Sequence, residues 1–354
     1  MKILHVITSL RTGGAGKLVS ELLPLLREQG AQVELALFDG TPSHILDSIL
    51  QTGIQVHILG MGARSMYNPL HILQLRRLMK NFDIVHSHNT SAQLFTALAA
   101  TSRNILVTTE HNTDNRRRHH GWLRPLDKAL YRRYASIVCC SRAVGENLSA
   151  YLGPELAGHI TVIENGIDLS RYSSHSDNKK AIDIVMVAAF RPQKDHITPL
   201  LALKLLPPEI SLCFAGDGET RTQVEAEVKR LGLQTRVRFL GAVADVPALS
   251  QSSKIALLST HYEGFGLVCV EAMASGTPLV ASDVEAVREV CAEAAVLFPP
   301  GDYKALADIL GQLLYNPSRR AEIAAACMVR ASDFDIRRTA ESYFSLYSYL
   351  YNRL

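Results

Sequence analysis

The chain has 354 residues, room for two domains of ordinary size rather than one. Hydrophobic residues make up 47% and charged residues 20%, the balance of a packed protein, which excludes a disordered or fibrous chain. The formal net charge of +3 excludes the whole-molecule basic field of a nucleic-acid binder, so no nucleic-acid partner is expected and any anionic ligand must be met by a local site.

From the first residues on, short β-branched runs alternate with amphipathic stretches, the pattern of parallel sheets built from βαβ units. The run at 3–7 is interrupted by His5 and followed by no small-residue cleavage site, so it reads as a first strand. It leads into Arg11-Thr12-Gly13-Gly14-Ala15-Gly16-Lys17 and then an apolar helix, a glycine-rich turn that can bring backbone N–H groups up to an anion. This is not a phosphate-binding P-loop, because Arg11 stands where glycine is required and Leu18 where Ser or Thr should be. A second strand at 33–38 ends beside Asp39, which leaves a dinucleotide-binding reading open.

Strands follow at 55–58, 84–87 and 105–109. His86, His88 and His111 stand at the carboxyl ends of two of them; a structural role is preferred for the first two. His111, beside Asn112, is the better candidate for a neutral imidazole that bonds a hydroxyl or phosphate oxygen. Seven cations lie between 116 and 133 (Arg116, Arg117, Arg118, Arg124, Lys128, Arg132, Arg133) against one acid, Asp127, with Trp122 among them. Such a run is either a solvated face or a landing patch for an anionic membrane surface. Strands at 136–140 and 160–163 complete the first half, and the polar, serine-rich stretch 168–180 reads as a linker with the domain boundary near 175.

The cycle restarts with strands at 182–188, 212–215, 237–240, 255–258, 279–281 and 295–297. Directly after the first of these come Arg191 and Lys194, two cations where a diphosphate could sit. Ala215-Gly216-Asp217-Gly218 is a turn equally explicable by structure alone, and Leu240-Gly241 leaves backbone groups free for a base edge. In the stretch 261–278, Glu263 precedes Gly264-Phe265-Gly266-Leu267 and a helix whose N-terminus would hold a phosphate. Glu271 lies eight residues on in apolar company, where an unpartnered carboxylate would cost several kcal/mol, so it should have a hydrogen-bonding task. The tail 336–354 carries Tyr343, Phe344, Leu346, Tyr347, Leu350 and Tyr351 at helical spacing and reads as a packing helix rather than an anchor. Six cysteines without a CxxC pair suggest buried thiols, and no HExxH spacing suggests a metal.

Taken together, Glu263 and Glu271 within EGFGLVCVEAMASGTPLVAS, the glycine turn, TEHN, ENGID, FRPQK, AGDG and FLG resemble the retaining glycosyltransferases of family 4 over nearly the whole chain. The resemblance implies the α/β GT-B fold, two Rossmann-like doubly wound domains (1–175 on the acceptor side, 176–335 binding the nucleotide sugar) facing a central cleft, with 336–354 packing back on the first. It implies that Glu263 contacts the donor sugar and that Gly264, Phe265, Gly266 and Leu267 offer N–H groups to sugar and diphosphate. Glu271 would accept from the ribose, Leu240 and Gly241 would lie near the base, and Lys194, with Arg191, would neutralise the diphosphate. Gly13 and Gly14 would wall the site from the first domain, and His111 would approach the transferred sugar.

The resemblance further implies a nucleoside-diphosphate sugar as donor, no cofactor and no metal, and a saccharide or lipid-linked acceptor of surface-polysaccharide assembly, in the cytoplasm or at the inner membrane face. Two positions depart from the family. Ala189 stands where it usually has Arg, five residues before Lys194, and 282–286 lacks the usual Gly-Gly. An impaired, nucleotide-sugar-binding homologue and a GT-B epimerase are the alternatives.

Overall fold

The computed structural model describes residues 1–11, 13–113, 118, 120–172 and 180–353. Its contacts divide the chain into two units, Met1–Gly166 with Ile336–Leu354, and Ile167–Asp335. The division thus falls earlier than 175, a position that lies outside the described residues.

In the first unit the elements run β1 (Lys2–Ser9), α1 (Gly14–Glu28), β2 (Gln32–Asp39), α2 (His44–Gln51), β3 (Val56–Ile58), α3 (Leu70–Leu78), β4 (Ile84–His88), α4 (Thr90–Ala99), β5 (Ile105–Glu110), α5 (Arg124–Tyr131), β6 (Ser136–Cys139), α6 (Arg142–Leu152), α7 (Pro154–Ala157) and β7 (Ile160–Val162). The seven strands are parallel, in the order β3-β2-β1-β4-β5-β6-β7. Helices cover both faces of such a sheet, which is why β4 and β5 are buried along their whole length, polar residues at their carboxyl ends included. Ser43 and Ser141 cap α2 and α6 by accepting from the N–H groups of Leu46 and Val144, fixing where those helices begin.

The second unit holds β8 (Ile182–Val187), α8 (Ile197–Leu205), β9 (Leu212–Ala215), α9 (Arg221–Leu231), β10 (Val237–Gly241), α10 (Val246–Gln251), β11 (Ser253–Leu258), α11 (Leu267–Ala274), β12 (Leu279–Ser282), α12 (Glu285–Cys291), β13 (Val296–Phe298), α13 (Tyr303–Leu314) and α14 (Pro317–Ala331). Its parallel sheet has the order β10-β9-β8-β11-β12-β13. Every strand expected from the sequence is present, with ends shifted by one or two residues. The chain is an α/β protein of two doubly wound, Rossmann-like units.

The last helix, α15 (Ile336–Tyr351), belongs to the first unit and packs against α1. Ala340, Tyr343 and Tyr347 are fully buried in that unit's core with Ile3, Val19, Leu22 and Leu35. Their hydroxyls are satisfied at the same time: Tyr347 Oη lies 2.5 Å from His86 Nδ1, and Tyr343 Oη lies 3.0 Å from Thr109 Oγ1. The tail is therefore a packing helix, anchored by polar groups that only the folded sheet presents.

In each sheet the strand order reverses beside the first strand of the unit, between β1 and β4 and between β8 and β11. Loops leaving the carboxyl ends of strands at such a reversal splay apart and leave room for a ligand. Both candidate clusters lie at these two points.

Candidate active site

In the second unit, β8 runs out at Val187 and the chain continues through Ala188 and Phe190 to a short 3₁₀ turn, Pro192–Lys194. Ala188 N–H donates to Ala215 O (2.9 Å), Phe190 N–H to Asp217 O (3.0 Å) and Thr220 N–H to Phe190 O (3.1 Å). The loops after β8 and β9 thereby lie against each other. A Cβ on Gly216 or Gly218 would collide with the carbonyl oxygen of Ala188 or Phe190, so the Ala-Gly-Asp-Gly turn is explained by this close approach.

The β8 loop is also laced to the loop after β11. Gln193 O accepts from His261 N–H (2.9 Å), Gln193 Nε2 donates to Tyr262 O (2.7 Å) and Ser259 Oγ donates to Asp195 O (2.7 Å). Asp195 sits in the left-handed region at φ 40°, and its carboxylate accepts from Thr198 N–H and Oγ1 at the start of α8. His196 stacks on Phe190 (4.1 Å, 13°), and burial pushes it down to about 4, so it is neutral near pH 7.

The lacing brings Lys194 and Glu263, 69 positions apart, into an ion pair between Nζ and Oε1, with side chains 17% and 7% exposed. One ammonium hydrogen is on Glu263 and two remain. Beyond Glu263, Phe265 is buried edge-on against Phe334 (5.5 Å), and Gly266 turns through φ 87° into α11, whose start no side chain caps. Leu267 opens that helix and Glu271 lies buried within it. Gly241 O accepts from Gly216 N–H (2.7 Å), which sets Gly241 and the partly exposed Leu240 beside the end of β9. Arg191 is exposed, with no side-chain partner among the described residues, so it stands apart from the Lys194–Glu263 pair.

In the first unit, Gly13 and Gly14 join β1 to α1. The dinucleotide reading loses its acid. Asp39 Oδ1 accepts from Thr41 N–H (3.0 Å) and Gly62 N–H (2.8 Å), and these bonds with Arg11 outweigh burial and hold the carboxyl below its ordinary value. It closes a turn.

His111, following β5, lies 3.1 Å from His88, which in turn lies 3.0 Å from His5. Burial pushes His5 down to about 3 and, against the pull of Glu110, His111 to about 4; His86 and His88 are also held well below 6.5. The rings are neutral. Among the described residues, His5, His86 and His88 form the one cluster tight enough to hold a metal ion, their ligand atoms lying within 4.8 Å. Both nitrogens of His86 are taken by Tyr347 and Thr109, and both of His88 by its neighbours.

The basic stretch needs correction. Arg116 and Arg117 lie outside the described residues, but Arg118 is not a surface cation. Its guanidinium pairs with Glu110 (3.1 Å) and donates to Thr113 O and Asn147 Oδ1, leaving 7% of the side chain exposed. Glu110 is itself bonded by Tyr131 (2.6 Å) and Gln93 (2.8 Å), so the three side chains and Arg118 form a buried polar knot. Lys128 and Arg132 both reach Glu155, Arg124 donates to Tyr151 O and Arg133 to Ala100 O. Trp122 remains exposed.

Two family models together span most of the chain: Glycosyltransferase Family 4 over residues 12–171 and Glycosyl transferases group 1 over 172–327. Glycogen synthase of Mycobacterium tuberculosis is 30% identical over 75% of this chain and 68% of its own length. The chain is a family 4 glycosyltransferase. Phosphatidyl-myo-inositol mannosyltransferase of Mycobacterium leprae is 28% identical over 89% of the glycosyltransferase and 87% of itself. The crystal structure of Anabaena HepE with UDP-glucose superposes with a TM-score of 0.88 at 25% identity, covering 98% of the glycosyltransferase and 99% of HepE. The fold is GT-B.

Sequence reasoning on the glycosyltransferase missed the bracing residues Gln193, Ser259 and Asp195, and the partners of His111. A usable signal was present for the latter: 11 of 13 histidines lie before residue 178, and His5, His86 and His88 stand on strands that prove adjacent.

Proposed function

We propose that this glycosyltransferase is a retaining, metal-independent enzyme that moves a sugar from a nucleoside-diphosphate sugar to a hydroxyl of a saccharide or lipid-linked acceptor in surface-polysaccharide assembly. The Lys194–Glu263 pair beside the start of α11, at the strand-order reversal, carries the reading. Glu263 accepts from sugar hydroxyls, while Lys194, with its two remaining hydrogens, and the N–H groups from Gly264 to Leu267 stabilise the departing diphosphate. Glu271 serves the ribose, Leu240 and Gly241 the base, and Gly13, Gly14 and His111 act from the first unit; Arg191 is available to the phosphates. The bond from the anomeric carbon to the diphosphate breaks first, the acceptor oxygen attacks from the same face, and its proton passes to a phosphate oxygen. A uridine diphosphate sugar is the first donor to test, since HepE is crystallised with UDP-glucose.

An anionic membrane surface is the proposed place of work. No helix among the described residues is long and apolar enough to cross a membrane. With most cations of 116–133 engaged, the better-suited face is on α3 and the turn before it. Met61, Tyr67, Leu70 and Leu73 are exposed there, and no acid occurs between Asp47 and Asp83 while Arg64, Arg76, Arg77 and Lys80 do. Within α3, residues 70, 73 and 77 follow helical spacing, so Leu70, Leu73 and Arg77 share one side.

Incubation with radiolabelled nucleotide sugars and a membrane lipid extract tests the reaction; labelled glycolipid is expected. Binding of nucleotide sugar with neither transfer nor hydrolysis would instead favour an impaired homologue, the reading that Ala189 in place of Arg supports. Epimerised donor formed without acceptor would favour the epimerase.

A further inference from the structure

The proposed role of His111 requires one of its ring nitrogens to face substrate, and two buried histidines outside the proposed machinery decide which nitrogen carries the hydrogen. His5 Nδ1 lies 3.0 Å from His88 Nε2, and His88 Nδ1 lies 3.1 Å from His111 Nε2. Strand register sets this spacing: β1 pairs β4 with Ile7 opposite His88, and β4 pairs β5 with His88 opposite Thr109. His5 and His88 are fully buried, with ring planes 12° apart.

A nitrogen–nitrogen contact of this length holds one hydrogen. Three neutral rings bring three hydrogens and the two contacts use two. The third must sit at an end of the chain, on His5 Nε2 or on His111 Nδ1, both buried and without a hydrogen-bond partner among the described residues. A hydrogen on His5 Nε2 would strand an N–H donor in the interior. With substrate at His111 Nδ1, that end is partnered whether it donates or accepts, so only His5 Nε2 stays orphaned; a hydrogen on His111 Nδ1 leaves His5 a lone pair there, and buried orphan donors are rarer than orphan acceptors. His86 stands outside the chain, its two nitrogens held by Tyr347 and Thr109.

We propose that His5 and His88 form a neutral hydrogen-bond relay that locks His111 in the Nδ1–H tautomer, giving a sugar hydroxyl or phosphate oxygen one fixed donor and removing His111 as a general base at that atom. His88 is then a positioning residue acting through His111, and His5 orients His88. The proposal rests on the reading of His111 as a substrate contact.

Nitrogen-15 imidazole spectra of the full chain, with His111 assigned by its loss in His111→Asn, test the tautomer without reference to activity. A protonated Nδ1 and bare Nε2 on His111 are expected; the reverse would overturn the relay, as would a metal ion copurifying at one per chain. Kinetics test the consequence. His88→Asn places an amide near the former Nδ1, where it can still donate to His111, whereas His88→Gln places it near the former Nε2. With matched melting temperatures, the Gln variant is expected to lose about tenfold in kcat with donor KM little changed, and the Asn variant to recover most of it. Equal kcat in the two, with His111→Ala impaired, would overturn the positioning role. Full activity in His111→Ala would instead overturn the substrate-contact reading, while the wild-type spectrum still judges the relay.

Discussion

Replacing Lys194 by Met keeps the stem of the side chain, removes its charge and leaves the Glu263 carboxylate, 7% exposed, without its cation. Breaking a buried ion pair from one side costs about 3–5 kcal/mol, and the residual exposure of Lys194 places this one near the low end, ~3 kcal/mol. In a unit of about 170 residues that corresponds to a fall of roughly 6–12 °C in the melting temperature of its transition. Adding Glu263→Gln removes the stranded charge and is expected to return most of the loss. Activity should behave differently. Lys194 is assigned the departing diphosphate, so its loss removes about 3 kcal/mol of transition-state stabilisation, two decades in kcat, measured well below the melting temperature. The amide at 263 cannot supply that charge, and turnover should stay low when stability returns. Thermal melts and initial rates of the two single variants and the double variant make the test. Recovery of kcat together with melting temperature in the double variant would show that Lys194 serves only to neutralise Glu263, and the assignment would fall; a wild-type rate in Lys194→Met would do the same.

Acid should destabilise the first unit through its histidines. Burial holds His5 at about 3 and His111 at about 4 against 6.5 in an unfolded chain, so the unfolded state takes up more protons as the pH drops. Stability is full above about pH 6.5 and drains toward pH 4, by roughly 3 kcal/mol for His111 alone; a melting temperature flat from pH 7.5 to 4.5 would contradict neutral rings. Gly218→Ala should cost about 3 kcal/mol, since its Cβ would press on the Phe190 backbone, whereas Gly301→Ala, with nothing near, should cost about 1 kcal/mol. Equal losses in thermal melts would remove the packing explanation of the Ala-Gly-Asp-Gly turn. Arg76→Glu with Arg77→Glu should abolish sedimentation with anionic vesicles, and Arg124→Glu with Arg132→Glu should change it little; the opposite order would return the docking face to 116–133.

The strands were legible because both sheets are parallel and covered on two faces, which favours continuous apolar runs such as that at 184–187. Glu263 and Glu271 were legible for a related reason. A carboxylate in an apolar helix is costly unless partnered, which marks Glu271 for a hydrogen-bonding task, and Glu263 is marked by the glycines after it, which let the backbone approach a ligand. Less could be read where a polar group finds its partner far along the chain. Arg118 looked like one cation in a run because sequence shows the neighbours of a charge and not the carboxylate folded beneath it; Glu110 sits on β5, across a loop, already held by Tyr131 and Gln93. His86 and Tyr347 are 261 positions apart, and nothing local to either marks the bond between them.

The same limit applies to each candidate cluster, taken unit by unit. Lys194 and Glu263 each stand in the loop after a strand, in a motif of its own, so their types could be read singly, but their pairing depends on β8 and β11 being adjacent, a property of strand order. His5, His88 and His111 depend on strand order twice, through β1 against β4 and β4 against β5. A histidine judged by its own surroundings is rightly given a structural role by default. His5 and His88 on neighbouring strands, with His111 just past the end of the next, lie in series within hydrogen-bond distance, a relation that the surroundings of no single histidine reveal.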